Sequence, residues 1–326
     1  MLTGRLIRGA APWLGLCALL TACSGKSADA TTDDTARDTA RDTAQDTAPD
    51  WSEAIALEVR TVLTDPEGEN IHSMVLSDGA MYVTTTSPPN HTSDDVARVT
   101  LTDAGGTVDR VAQNLPFPEG IDVGPDGALY TACWNDKAVH RVGTDGTDEV
   151  YSVGADNPTN VIFDEAGNLY ISNWNTSTID KVTPTGERSL FSDHPDYYGP
   201  HGMTFDDAGQ LYVANFVDGK VFRVGADGEA EAFTQLTYGG YLGHLVWLDG
   251  SLYATAIELN QVVRITVGGE ADGEMTAIAG SGLADDLDGA AMEAAFTEPN
   301  GLMADPDEHL LYVAMGSILK VITLGF

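Results

Sequence analysis

The sequence predicts an all-β fold, a six-bladed β-propeller whose ring is closed by an N-terminal strand joining the last blade. Three observations predict it. The pairs Met81-Tyr82, Leu129-Tyr130, Leu169-Tyr170, Leu211-Tyr212, Leu252-Tyr253 and Leu311-Tyr312 recur at a step of about 40 residues, the length of one blade. Five of the six tyrosines, all but Tyr312, follow a glycine-containing turn, as in Pro125-Asp126-Gly127-Ala128-Leu129-Tyr130, where glycine supplies the positive φ of a tight reversal. Alternating apolar runs such as Lys220-Val221-Phe222-Arg223-Val224 stand between the turns with the period of packed strands.

Residues 1–22 precede the fold. Arg5 and Arg8 are followed by an apolar stretch from Ala10 to Leu20, too short to span a bilayer but suited to the core of a signal peptide. Leu20-Thr21-Ala22-Cys23 then reads as a bacterial lipoprotein processing site, cleaved before Cys23, whose thiol receives the lipid (palmitate). Ser24 at the next position points to an outer-membrane anchor on the extracytoplasmic side, facing the periplasm or the cell surface. Residues 23–50 repeat Asp-Thr-Ala and hold no large apolar side chain, so no core offsets the entropy of ordering them. They form a disordered tether that gives the folded part reach.

Residues 51–326 are the propeller. Its last blade offers three runs, at 301–304, 310–314 and 319–323, before the chain stops. The unclaimed segment 55–63, with Val59 and Val62, supplies the missing outer strand and leaves no sheet edge open.

Lys and Arg number 16 against 50 Asp and Glu, a formal charge of −34. That field repels nucleic acid and anionic head groups, which excludes both as partners and leaves the lipid anchor as the membrane contact. Of three cysteines, Cys17 leaves with the signal and Cys23 is acylated, so Cys133 cannot form an internal disulfide. At a strand end it reads as a small buried hydrophobe.

The blades, aligned on their tyrosines, place His72, Glu119, Thr159, His201, Gly243 and Asn300 at one level of the innermost strands. Ser73, Gly120, Asn160, Gly202, His244 and Gly301 follow at the next. Innermost strands line a common channel, so these positions converge. Glu119, His201 and His244 are candidate acid/base groups, and with Asn300 candidate ligands for a divalent cation (calcium, magnesium or zinc). His72 and Asn160 join them as candidate ligand-binding groups. A hydrated channel mouth whose polar groups bind ordered water accounts for the same residues.

Second strands return to this face, bringing Trp134, Asn135, Trp174, Asn175, Phe216 and Glu258. These suit the floor and walls of a site for a ring-shaped ligand. The loops 87–95, 192–200 and 268–299 are expected to rise there as well. Asp285-Asp286-Leu287-Asp288-Gly289 lacks the spacing of a calcium loop, and no nucleophile elbow, zinc-protease motif or phosphate loop occurs.

Pro118-Glu119-Gly120-Ile121-Asp122-Val123-Gly124-Pro125-Asp126-Gly127-Ala128-Leu129-Tyr130 resembles a blade of the streptogramin lyases. Ala279-Gly280-Ser281-Gly282, with Asp288-Gly289, Ala294-Ala295-Phe296 and Pro299-Asn300-Gly301-Leu302, is similar to an NHL repeat. The NHL-repeat and gluconolactonase-like propellers, streptogramin lyases included, thus resemble residues 55–326. The resemblance implies the propeller fold and, for the gluconolactonase-like members, a divalent cation held in the channel, with Asn300 matching their asparagine. Such a fold hosts binders and enzymes alike. The expected function is a monomeric, membrane-anchored propeller that binds a small molecule, a glycan or an extracytoplasmic protein at the channel mouth. The alternative is a metal-dependent hydrolase or lyase acting on a lactone-like or cyclic substrate.

Overall fold

The computed structural model describes residues 55–65, 67–87, 94–102, 105–237 and 239–325. The expected signal, tether, Cys23 and Trp51 lie outside these residues, as do 88–93 of the first long loop. After the N-terminal strand β1 (Ile55–Thr64), the first blade comprises β2 (Asn70–Ser77), β3 (Ala80–Thr86), β4 (Asp95–Thr102) and β5 (Gly105–Ala112). The second holds β6 (Pro118–Val123), β7 (Leu129–Cys133), β8 (Ala138–Val142) and β9 (Asp148–Val153). The third holds β10 (Pro158–Phe163), β11 (Leu169–Asn173), β12 (Thr178–Val182) and β13 (Arg188–Ser192). The fourth holds β14 (Pro200–Phe205), β15 (Leu211–Asn215), β16 (Lys220–Val224) and β17 (Ala230–Gln235). The fifth holds β18 (Leu242–Leu248), β19 (Ser251–Ala256), β20 (Gln261–Thr266) and β21 (Met275–Ala279). All five are antiparallel meanders in sequence order.

The sixth blade mixes both ends of the chain. Its order is β22 (Gly289–Ala290), β1, β25 (Ile318–Gly325), β24 (Leu310–Met315) and β23 (Gly301–Asp305). The N-terminal strand therefore closes the ring as expected, and β22 adds a fifth strand outside it. Bulges shift the β1–β25 register between Ala56 and Glu58 and between Thr61 and Leu63. This is why Val59, Val62 and Leu63 are all buried despite spacings that strict alternation would split between two faces.

Every residue of β7, β11, β15 and β19 is buried, because neighbouring blades cover both faces of these second strands. The recurring tyrosines bind their own turns. Tyr130 donates its hydroxyl to Asp126 at 3.3 Å, Tyr170 to Asp164 at 3.2 Å and Tyr212 to Asp206 at 3.4 Å. Their rings pack edge-on against the next blade, Tyr130 on Phe163 at 4.9 Å and Tyr170 on Phe205 at 5.3 Å. One residue type thus fastens the hairpin and joins adjacent blades.

The expected loop 268–299 is not one loop. The chain turns after β20, forms β21 as the fifth blade's outer strand, and only then crosses to the sixth blade through β22. Strand β21 is only five residues long, and of these only Ile278 and Ala279 are buried.

Candidate functional site

The two tiers of innermost-strand residues come together as their register requires. Backbone contacts show how closely neighbouring blades approach there. A Cβ on Gly202 would lie 2.6 Å from the Leu245 nitrogen and 2.7 Å from the Gly243 oxygen. Gly120 abuts Asn160 and Gly301 abuts His72 in the same way. Glycine at these points is demanded by the approach of the next blade.

A two-blade alternation runs through the ring. Thr84 donates to the Glu119 carbonyl at 2.5 Å, Ser172 to the His201 carbonyl at 3.3 Å, and Thr255 to the Asn300 carbonyl at 2.7 Å. Odd-numbered blades therefore pin the backbone of the residues that even-numbered blades present at the mouth. At the same place after the tyrosine, the even-numbered blades carry Ala132, Ala214 and Ala314. The alternation of hydroxyl and methyl was a readable signal in the sequence, and it marks the blades that carry Glu119, His201 and Asn300.

His72 and Glu119 form one pair, Nδ1 to Oε2 at 3.3 Å, and His72 Nε2 meets the Thr86 hydroxyl at 2.7 Å. Burial pulls the His72 pKa down, but the Glu119 carboxylate, with Asp94 behind it, outweighs that and raises it above the ordinary imidazole value. His201 and His244 form a second pair, their rings edge to face at 4.9 Å, and both are 4% exposed. Desolvation lowers the His201 pKa despite Glu119, and it lowers that of His244 much further, with His201 and His72 acting in the same direction. The mouth thus sets an imidazole whose protonated form a carboxylate favours beside two whose neutral form burial favours.

Three buried polar atoms of this ring have no protein partner: His201 Nδ1, His244 Nε2 and Asn300 Oδ1. Buried polar groups are normally satisfied, so three such atoms at one mouth leave hydrogen-bonding capacity there that the protein does not use. Asn160 spends its side-chain oxygen on the Val161 N–H at 2.8 Å, so the oxygen holds the strand. Ser73, Asn160 and His244 line a cavity of about 440 Å³ that continues along the channel to Asp305 and Asp307. Asp122 also borders it. Burial pushes its carboxyl up to about 6, although Phe163 and Val123 N–H groups bind it.

The aromatic residues of the mouth form a connected arc. Trp134 meets Trp174 at 5.9 Å, Trp174 meets Phe216 at 5.4 Å, and Phe216 meets His201 at 5.3 Å. Asn135, Asn175 and Glu258 are exposed on the same loops; Asn175 donates to Asn157, and Glu258 lies against Gly240. Sequence reasoning missed two members. Tyr241 stacks on Phe216 at 5.0 Å and an interplanar angle of 20°. Phe117 packs on His72 at 5.6 Å and holds φ at 61°, a conformation costly for an aromatic residue. Its place before Pro118 was the available signal, since Asn157, Gly199 and Glu298 hold the same conformation before Pro158, Pro200 and Pro299.

A divalent ion held by Glu119, His201, His244 and Asn300 does not fit this arrangement as it stands. Glu119 is committed to His72, and no three His, Cys, Asp or Glu ligand atoms of the mouth lie within 4.8 Å of one another among the described residues.

The virginiamycin B lyase family model matches residues 106–321. Among solved structures, a catalytically inactive histidine-to-alanine virginiamycin B lyase from Staphylococcus aureus with quinupristin is 15% identical. The match covers 82% of this chain and 99% of that one, at a TM-score of 0.59. An auxiliary nutrient binding protein from Bacteroides thetaiotaomicron is 12% identical, with 82% and 76% covered and a TM-score of 0.68. A gluconolactonase from Xanthomonas campestris is 14% identical, with 82% and 89% covered and a TM-score of 0.62. At these identities the likeness is one of fold. No curated protein matches the chain.

Proposed function

The chain belongs to the virginiamycin B lyase family, and on that footing we propose that its channel mouth binds a small oxygen-rich ring, a sugar or lactone in class. The observation that carries this reading is the group of three unpartnered buried atoms, on His201, His244 and Asn300. Beside them, the arc of Trp134, Trp174 and Phe216 offers flat apolar faces to a ring. Donors and acceptors converging next to aromatic walls are what a sugar or lactone requires. A glycan end meets the same requirements.

A second reading rests on the opposed imidazole shifts. His201, whose neutral form burial favours, can take a proton, while His72, whose protonated form Glu119 favours, can give one. That division of roles suits ring opening of a cyclic ester by elimination or hydrolysis. It accords with the quinupristin-bound relative, which loses catalysis when one histidine is replaced.

Titration calorimetry with a panel of monosaccharides, sugar lactones and quinupristin tests the site. Saturable binding of one class is expected, weakened at least tenfold in His201→Ala with the melting temperature unchanged. No saturable binding across the panel, or binding indifferent to His201→Ala, contradicts the reading.

We further propose that the protein is held on the outer membrane through Cys23. The support is sequence alone: the signal-like residues 1–22, Leu20-Thr21-Ala22-Cys23 and the core-free tether to residue 50. Cys23→Ser is expected to move the protein from the detergent phase to the aqueous phase, or to leave it uncleaved. Unchanged partitioning contradicts the anchor.

A further inference from the structure

We propose a second site, a zinc-class metal site built by Cys133, Asp136 and His140 on the second blade, outside the channel mouth. The thiol sulfur, one carboxylate oxygen and one imidazole nitrogen all lie within 4.8 Å of one another. Sulfur, nitrogen and oxygen donors together suit Zn²⁺ and its spectroscopic substitutes Co²⁺ and Cd²⁺ better than calcium or magnesium.

The strand register brings these groups to one face. Cys133 pairs with Ala138 and Thr131 with His140, so the cysteine and the histidine are diagonal neighbours on β7 and β8, and Asp136 comes from the loop between the strands. His140 is held at both nitrogens, Nε2 at 2.7 Å from Asp136 and Nδ1 at 2.8 Å from Asp148. The Nδ1 contact is the outer-sphere carboxylate that metal-bound histidines normally carry; it selects the tautomer that presents Nε2 to a metal. An ion entering between Nε2 and Asp136 displaces the proton now shared there, and Cys133 Sγ releases its own proton to solvent and closes the set as a thiolate. Cys133 is fully buried, whereas the Asp136 side chain is 34% exposed, so the open side faces solvent and leaves room for a water as fourth ligand.

Comparison with the third blade shows that Cys133, His140 and the outer-sphere Asp148 replace a different structural set. Their matching positions there are Asn173, Asp180 and Arg188. There Asn173 donates to Asp180 at 2.8 Å and accepts from the Asp156 N–H, while Arg188 clamps Asp180 at 2.6 Å. In the fourth blade Asn215 likewise anchors the preceding loop through the Tyr198 N–H. The second blade has exchanged the anchoring amide for a thiol, the central acid for an imidazole and the outer cation for an acid. The exchange supplies a thiol and an imidazole as ligands and an acid to orient the imidazole, which is what a metal site at Cys133, Asp136 and His140 uses.

Cobalt titration of the full chain tests the proposal, since a thiolate bound to Co²⁺ gives a near-ultraviolet charge-transfer band that oxygen and nitrogen ligands do not. One equivalent is expected to raise the band. It should persist in Cys17→Ser/Cys23→Ser and vanish in Cys133→Ser, and Asp148→Asn should weaken affinity about 10- to 100-fold. No band in the wild type, a band that survives Cys133→Ser, or one that is lost with Cys17 and Cys23 overturns the site. Should Cys133→Ser fail to fold, X-ray absorption of zinc bound to the Cys17→Ser/Cys23→Ser chain decides. One sulfur in the first coordination sphere supports the site, and a sphere of nitrogen and oxygen alone overturns it.

Discussion

Deleting residues 55–63 is expected to unfold the entire propeller instead of trimming one edge. Strand β1 runs along β25 for nearly its whole length and buries Val59, Val62 and Leu63. At about 2 kcal/mol for each fully buried side chain, their loss is worth roughly 6 kcal/mol, comparable to the total stability of many domains. The damage also spreads. Val59 belongs to the core between the fifth and sixth blades, and Val62 and Leu63 to the core joining the sixth blade to the first. The deletion therefore opens the junction that makes the array a ring. Chemical denaturation followed by circular dichroism checks this. A truncated chain with the full-length midpoint would refute the role of β1 in closure.

Lys320→Ala is expected to cost about 3 kcal/mol. Lys320 is 0% exposed, yet its ammonium meets Asp286 and Asp288 at 2.6 Å each and the Thr61 hydroxyl at 3.1 Å. Asp288 in turn accepts from the Thr61 N–H at 2.9 Å. One buried cation thus ties the crossing segment to β1 and β25. Both carboxylates are nearly half exposed and rehydrate when the lysine goes, which keeps the cost at the low end for a buried pair. Burial raises the Asp288 pKa, but the bonds from Lys320 and Thr61 outweigh it and hold the carboxyl below its usual range. A depressed folded pKa contributes stability that is complete above the unfolded value and disappears as pH falls through the folded one. Acid unfolding of Lys320→Ala should therefore lose part of that pH dependence. Wild-type melting at neutral pH would count against the tie.

The ring was legible because it is a repeat: six tyrosines and their turns fix six hairpins, and register alone then places His72, Glu119, His201 and Asn300 on one axis. Closure was legible from the shortfall of strands at 301–323. What escaped had weak local patterns. Strand β21 is a short run of five residues inside a long connection, too brief to stand out. Tyr241 and Phe117 reach the mouth from connecting loops whose paths depend on packing between blades. The division of the imidazoles into a paired His72 and a stacked His201 and His244 follows from distances across the channel, which residue spacing does not encode. Cys133 read as a plain strand-end hydrophobe until the pairing of β7 with β8 placed His140 beside it.

The central claim, that the mouth raises the basicity of one imidazole and lowers that of two others, is tested most directly by an imidazole NMR titration of the full chain, with resonances assigned through single His→Gln variants. His72 is predicted to titrate above the ordinary value of about 6.5. His201 and His244 are predicted to titrate below it, His244 the lower of the two. A His201 that titrates at or above His72, or a His201 and His244 that behave as ordinary exposed imidazoles, would contradict the account.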